Sequence, residues 1–218
     1  MITAHHLVFG RKYTQPIPTD YILAYDFNGN FNEKNGINNL VQKGTVTFTT
    51  DRKGGNTAVQ FGSGYLQTVN NLPASSVWSV SFWMKNNFNS AVTVFGGEFG
   101  VNGSQTFNFV MNDAGVNYYI TIKGSSFNRW RTSDNLKDNI WHHYVFILDR
   151  SKIANQEIQV YIDGVKKNTI QFSSADSVGN FVSSRINFGQ QLWTGLLGDI
   201  KIYNRPLTQT EITNLYNE

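Results

Sequence analysis

The 218-residue chain has no cysteine, which excludes disulfides, thiolate metal sites and cysteine nucleophiles together. Stability must come from burial alone. Charge is scarce as well: Asp, Glu, Lys and Arg make up 15% of the chain, and the formal net charge is only +3. Lys and Arg are scattered without a basic block or stripe, so nucleic acid is not an expected partner. No apolar run is long enough to cross a membrane, so no membrane insertion is expected. The stretch before Pro18 lacks the basic start and long apolar core of a secretory signal. The expectation is a protein made in the cytoplasm of its cell or host, with an extracellular location as the alternative if the sequence is a processed fragment.

Aromatic residues, by contrast, are plentiful at 14%. With so few charges, the surface must be built largely from Asn, Gln, Ser and Thr, which suits neutral, hydrogen-bonding ligands. The length fits one domain, since all-β folds often use this much chain around a single core. Residues 1–19 carry Pro16 and Pro18 and no sustained amphipathic period, so they read as an arm, with the domain proper spanning 20–218.

From Tyr21 onward, short runs with period-two alternation recur between turn residues, the pattern of an antiparallel sandwich or barrel. Strands are expected at Thr45–Thr49, Thr57–Phe61, Tyr65–Val69, Ser79–Lys85, Thr106–Met111, Tyr118–Ile122, His143–Leu148, Ile158–Ile162, Arg185–Phe188 and Leu196–Asn204. Val80, Phe82 and Met84 share one face of their run, and Ser79, Ser81 and Trp83 share the other. Gln159 and Tyr161 alternate outward between Ile158, Val160 and Ile162. Asp163-Gly164 then signals a type I′ hairpin. A helix is expected only at the end, where Thr208 and Glu211 form a capping box, and Leu207 and Ile212 stand as a hydrophobic staple.

Four ordered segments carry a family resemblance. They are Leu23–Asn30 followed by Thr50–Phe61 (TDRKGGNTAVQF), Ser79–Lys85 (SVSFWMK), Trp141–Tyr144 joined to Val160–Gly164 (WHHY, VYIDG), and Gly195–Leu207 (GLLGDIKIYNRPL). Together they resemble the laminin-G-like branch of the concanavalin A-like lectin and glucanase superfamily. That resemblance implies an all-β, two-sheet antiparallel jelly-roll sandwich with a short C-terminal helix. Lectins, adhesion modules, enzyme appendages and virion proteins share this fold, so function has to be argued from sites. One departure is the short turn Phe61-Gly62-Ser63-Gly64-Tyr65, which brings no carboxylate to a place where relatives often have a longer, amide-bearing turn.

Glycoside hydrolysis requires two carboxylates at a set separation, and the laminarinase-like members place them as E-x-D-x-E on one strand. None of Glu33, Glu98, Glu157, Glu211 and Glu218 has an aspartate two residues away. A non-catalytic binding module is therefore expected, with glycoside hydrolysis a distant alternative. His142 and His143 are adjacent on a strand, so they face opposite ways and cannot chelate one ion together; one is expected in the core and one exposed. A calcium site would draw on Asp51, Asp199 and Asp26. Each has a structural alternative: Asp51 can cap its own turn or pair with Arg52, and Asp199 can pair with Lys201. Otherwise no cofactor is expected.

Sugar sites combine an aromatic platform with a few polar groups. Trp78, Trp83 and Trp141 fall in or beside family-like strands and read as core. Trp130, between Arg129 and Arg131, and Trp193, after Gln190 and Gln191, read as loop tryptophans that either offer a platform or fold back onto the core. The arm and the missing signal fit a bacteriophage virion surface protein, decorating a capsid or tail and binding host or environmental glycans. In that setting other virion proteins would hold the arm, within an oligomer or larger assembly. The alternative is a purely structural assembly protein whose sandwich serves subunit packing.

Overall fold

The computed structural model describes residues 16–86, 92–97, 107–113, 116–123, 127–131, 138–153, 156–173, 180–181, 183–189 and 193–218. Two eight-stranded antiparallel sheets form a sandwich. The first runs β13 (Val165–Lys166), β12 (Ile158–Ile162), β11 (Trp141–Asp149), β6 (Val77–Lys85), β16 (Leu196–Tyr203), β4 (Ala58–Phe61) and β3 (Val46–Thr49), with β1 (Leu23–Tyr25) also paired to β16. The second runs β14 (Ile170–Ser173), β10 (Phe127–Arg131), β9 (Val116–Lys123), β8 (Phe107–Asp113), β7 (Val92–Gly97), β15 (Ile186–Phe188), β5 (Tyr65–Thr68) and β2 (Leu40–Lys43). Short strands that are non-consecutive across each sheet give the jelly-roll connectivity that the motifs imply.

The inward faces meet in one aromatic cluster. Phe82 stacks on Tyr144 at 5.3 Å between ring centroids and meets Phe95 of the opposite sheet edge-on at 5.2 Å. Phe109 and Phe146 close the cluster at 4.8 Å from one another. Such pairs add about 0.5–1.5 kcal/mol each beyond the area they bury. Val80, Phe82 and Met84 belong to this core, as their alternation predicts.

The helix α1 (Gln209–Tyr216) forms where the capping box places it. The Thr208 hydroxyl accepts from Glu211 N at 3.3 Å, and Glu211 accepts from Thr208 N at 2.7 Å. Leu207 and Ile212, the staple pair, are buried in a second apolar cluster on the outer face of the first sheet, with Val145, Ile147, Tyr161, Tyr203 and Leu215. Ile17 and Tyr21 pack against the same cluster. Ser79 fixes the approach to α1, its hydroxyl donating to Arg205 O at 2.7 Å and accepting from Leu207 N at 3.2 Å.

Within the expected arm, residues 16–19 thus lie against the body of the domain. Tyr203 donates its phenolic proton to Pro18 O at 3.1 Å, and Arg205 pairs with both Asp20 and Glu211 at 2.6 and 2.7 Å. Residues 1–15 are outside the described residues.

Both residues of the expected hairpin turn have positive φ, 52° at Asp163 and 76° at Gly164, the left-handed pair that a type I′ turn requires. Strands β2, β7, β13 and β14 were not anticipated, and β10 was expected to be a loop.

Candidate functional site

The outer faces of the two sheets differ in chemistry. On the first sheet that face lies under α1 and residues 16–21. On the second, the residues that alternate with the core aromatics include the amides Asn187 and Asn108. Phe188, Phe95 and Phe109 point into the core, so Asn187, Gly96 and Asn108 beside them belong to the outer face.

Register lines these residues up across the sheet. Gln67 pairs with Asn187, Asn187 with Gly96, Gly96 with Asn108, Asn108 with Thr121, and Thr121 with Arg129. The next row along the strands joins Thr93, Val110, Tyr119 and Arg131. At the β5 end the amides hold each other: Gln67 donates from Nε2 to Asn187 Oδ1 at 2.9 Å, and Arg185 donates to Gln67 Oε1 at 3.3 Å. Asn187 is only 2% exposed, whereas Asn108 is partly open. Gly96 sets no side chain between them.

The sequence candidates are redistributed by this arrangement. Arg129, Trp130 and Arg131 are not a loop tip but strand β10, hydrogen-bonded to β9 on one side and β14 on the other. An antiparallel sheet with one face away from the core accepts alternating polar residues, so FNRWR can be a strand. Arg129 and Arg131 stand in register with Thr121 and Tyr119, while Trp130 stands in register with Ile120, which pairs with core residue Phe109.

Trp193 is not a platform. It is fully buried, tilted against Phe61 at 5.3 Å, and donates from Nε1 to Asn86 Oδ1 at 2.9 Å. Gly195 makes this possible, because a Cβ there would collide with the indole ring. Gln190 and Gln191 are outside the described residues. Asn108, Thr121 and Tyr119, which fall in these rows, were not singled out from the sequence, although the alternation of FNFVM and YYITI carried the signal.

The three candidate calcium ligands do not converge. Among the described residues, no three of His, Asp and Glu gather as a metal-holding group. Asp51 takes the capping alternative: its carboxylate accepts from Lys53 N at 2.7 Å, Gly55 N at 2.9 Å and the Thr57 hydroxyl. Although burial opposes ionisation, these donors hold its pKa below the ordinary value.

Asp199 does not pair with Lys201. A bulge between Gly198 and Lys201 and a φ of 48° at Asp199 break the alternation. Its carboxylate lies 3.8 Å from Arg52 Nη2, while the Lys201 ammonium reaches Glu218 at 2.5 Å. Burial raises the Asp199 pKa, against the pull of Lys201 and Arg52. Asp26 lies 3.8 Å from Lys34 in an exposed loop.

A second feature lies at one end of the first sheet, a shallow depression of ≈ 650 Å³ lined by Arg52, Trp83, Lys85, Trp141, His142 and Tyr216 with neighbouring turn residues. Of the adjacent histidines one is buried, as expected, while the other is half-buried and not exposed. His143 is 1% exposed, its Nε2 is 2.9 Å from Ser81 Oγ, and burial, with Lys201 and Arg52 nearby, depresses its pKa to about 3. His142 sits at the rim with Nδ1 2.7 Å from Asp163 and Nε2 3.1 Å from Asp138. Burial disfavours its charge, yet the two carboxylates outweigh burial and raise its pKa. Trp141, read as core, is only half-buried and borders this depression.

A two-sheet antiparallel sandwich with one outer face under α1 and residues 16–21 is the architecture that the four motifs imply. The chain belongs to the concanavalin A-like lectin/glucanases superfamily, whose laminin-G-like family matches residues 40–213. Among solved structures it is similar to domain 4 of AbnA, an extracellular GH43 arabinanase of Geobacillus stearothermophilus, solved with arabinotriose. That match has 19% identity and a TM-score of 0.71, covering 90% of this chain and 98% of that one. It is also similar to botulinum neurotoxin type C, described as depending on two ganglioside molecules for cell entry (15% identity, TM-score 0.69). The binding domain of botulinum neurotoxin DC in complex with SialylT is a further neighbour (16% identity, TM-score 0.70). The chain covers 51% of each toxin chain, about half their length, and 91% of it is matched. At these identities the likeness is one of fold. A comparison with curated protein sequences finds no match.

Proposed function

We propose that this protein is a non-catalytic carbohydrate-binding module and that the outer face of the second sheet receives the sugar. The observation that carries this reading is the register that brings Asn108, Thr121 and Arg129 into one row and Tyr119 and Arg131 into the next. An aromatic residue among amide, hydroxyl and guanidinium residues is the combination that sugar recognition uses. A domain of similar fold solved with arabinotriose supports the same substrate class.

Binding of arabinotriose and a panel of neutral oligosaccharides, measured by calorimetry, tests it. Asn108→Ala and Tyr119→Ala are each expected to weaken the best ligand about tenfold with the melting temperature unchanged. Absence of any binding, or unchanged affinity in both variants, would overturn the reading.

The virion reading is retained as a second proposal because of one arrangement. Residues 16–21 lie beside α1 on the outer face of the first sheet, opposite the polar face. A tether on one side and a binding face on the other suit a module displayed on an assembly. Light scattering on the full chain and on a chain lacking residues 1–15 tests it: an oligomer that becomes a monomer on truncation supports the tether, and a monomer in both cases contradicts it.

A further inference from the structure

The depression on the first sheet brings together charged and aromatic groups that the polar face of the second sheet does not use. Its two carboxylates are engaged within the protein. Asp163 accepts from His142 through Oδ2 and from His143 N through Oδ1 at 2.9 Å. Asp138, beside the rim, accepts from His142 through Oδ2 and from Ile140 N through Oδ1 at 3.0 Å.

The cations are not saturated. Arg52 lies flat over Trp83, with its guanidinium carbon 4.0 Å from the ring centroid. Its Nε and Nη2 donate no hydrogen bond, and its ion-pair partner, Asp199, stands off at 3.8 Å. Lys85, at the end of β6, meets no carboxylate and no hydrogen-bond acceptor among the described residues. A lysine ammonium without an acceptor, beside a guanidinium whose Nε and Nη2 are buried, favours an acidic group, because charge-assisted hydrogen bonds are the stronger kind.

The rest of the lining is suited to a ring. Half-buried Trp141 and Tyr216, the latter 36% exposed and stacked on Trp83 at 5.8 Å, border the same recess. We infer that this depression is a second binding site that takes an acidic sugar, with the anion held by Lys85 and Arg52 and the ring set against Trp141 and Tyr216. Carboxylates and sulfate monoesters share the required chemistry, and the assignment made is a carboxylate carried directly on the ring. The site is separate from the face proposed above and stands or falls independently of it.

Calorimetry on the full chain with tetragalacturonate, its methyl ester and a sulfated galactose oligosaccharide reads the site directly. Tetragalacturonate is expected to bind with one-to-one stoichiometry and its methyl ester about tenfold more weakly. Lys85→Gln and Tyr216→Ala, both at partly exposed positions, are each expected to weaken tetragalacturonate about tenfold. Asn108→Ala should leave it unchanged, which separates this site from the polar face. Stronger binding of the sulfated oligosaccharide with the same Lys85 dependence would overturn the carboxylate assignment. Failure of every acidic probe to bind, or equal affinity in wild type and Lys85→Gln, would overturn the site.

Discussion

The outer faces of the two sheets begin from the same alternation and end differently. On the first sheet, Val145, Ile147, Tyr161 and Tyr203 point away from the inter-sheet core yet are buried, because α1 and residues 16–21 lie over them. On the second, Asn108 alternates with core Phe109 and remains partly open. The lesson is that outward and exposed are separate properties. The first face is a second apolar core, whereas on the second Gln67, Thr93 and Asn187 are buried polar residues and Asn108 is partly open.

Substitutions should expose this contrast most strongly in stability. Ile212→Ala removes the centre of the covered face and is expected to cost about 2–4 kcal/mol in urea unfolding. Asn108→Ala on the polar face should change stability by less than about 0.5 kcal/mol. Equal losses at the two positions would erase the distinction between the faces.

A smaller effect is expected at the cap. Thr208→Ala removes the capping box that starts α1 and should cost about 1 kcal/mol, read in the same unfolding experiment. Thr208→Asp, which keeps an acceptor, should recover most of the loss. If both variants unfold like wild type, α1 does not hold the covered face together.

The smallest effect is the pH response of His142. Its pKa is raised in the folded protein, so its contribution is fully present below the unfolded value of 6.5 and is lost as pH rises through the folded value. The partner Asp138 has a lowered pKa, so its contribution is lost only as pH falls through that value, below 3.8. Wild type should therefore lose melting temperature relative to His142→Gln as pH is raised above 6.5. Parallel profiles for the two proteins would show that the His142 bridges between β11, the 138–140 turn and the hairpin add nothing to stability.

How far the sequence was legible follows the range of the interactions involved. The Asp163-Gly164 turn and the Thr208 cap are decided within four residues, and both appear where the sequence places them. Tyr161 was correctly read as outward, but its burial depends on α1, far along the chain. Trp193 was ambiguous because its neighbours Gln190 and Gln191 are polar, whereas its burial is settled with Asn86, 107 residues away. Arg129 and Arg131 attracted notice as a basic pair around a tryptophan. Only strand pairing places them beside Thr121 and Tyr119, because register is a long-range property that neither local composition nor spacing encodes. Asp199 looked able to pair with Lys201 until a bulge, invisible in the local pattern, turned it toward Arg52.

The proposed sugar site is the outer face of the second sheet around Asn108. Backbone amide chemical shifts of the isotopically labelled chain, followed during titration with the tightest-binding neutral oligosaccharide, test it most directly. The account predicts shifts concentrated at Gly96, Asn108, Tyr119, Thr121, Arg129 and Arg131, with β11, β16 and α1 unmoved. Shifts confined to the first sheet and α1, or no saturable shift with any oligosaccharide, would contradict it.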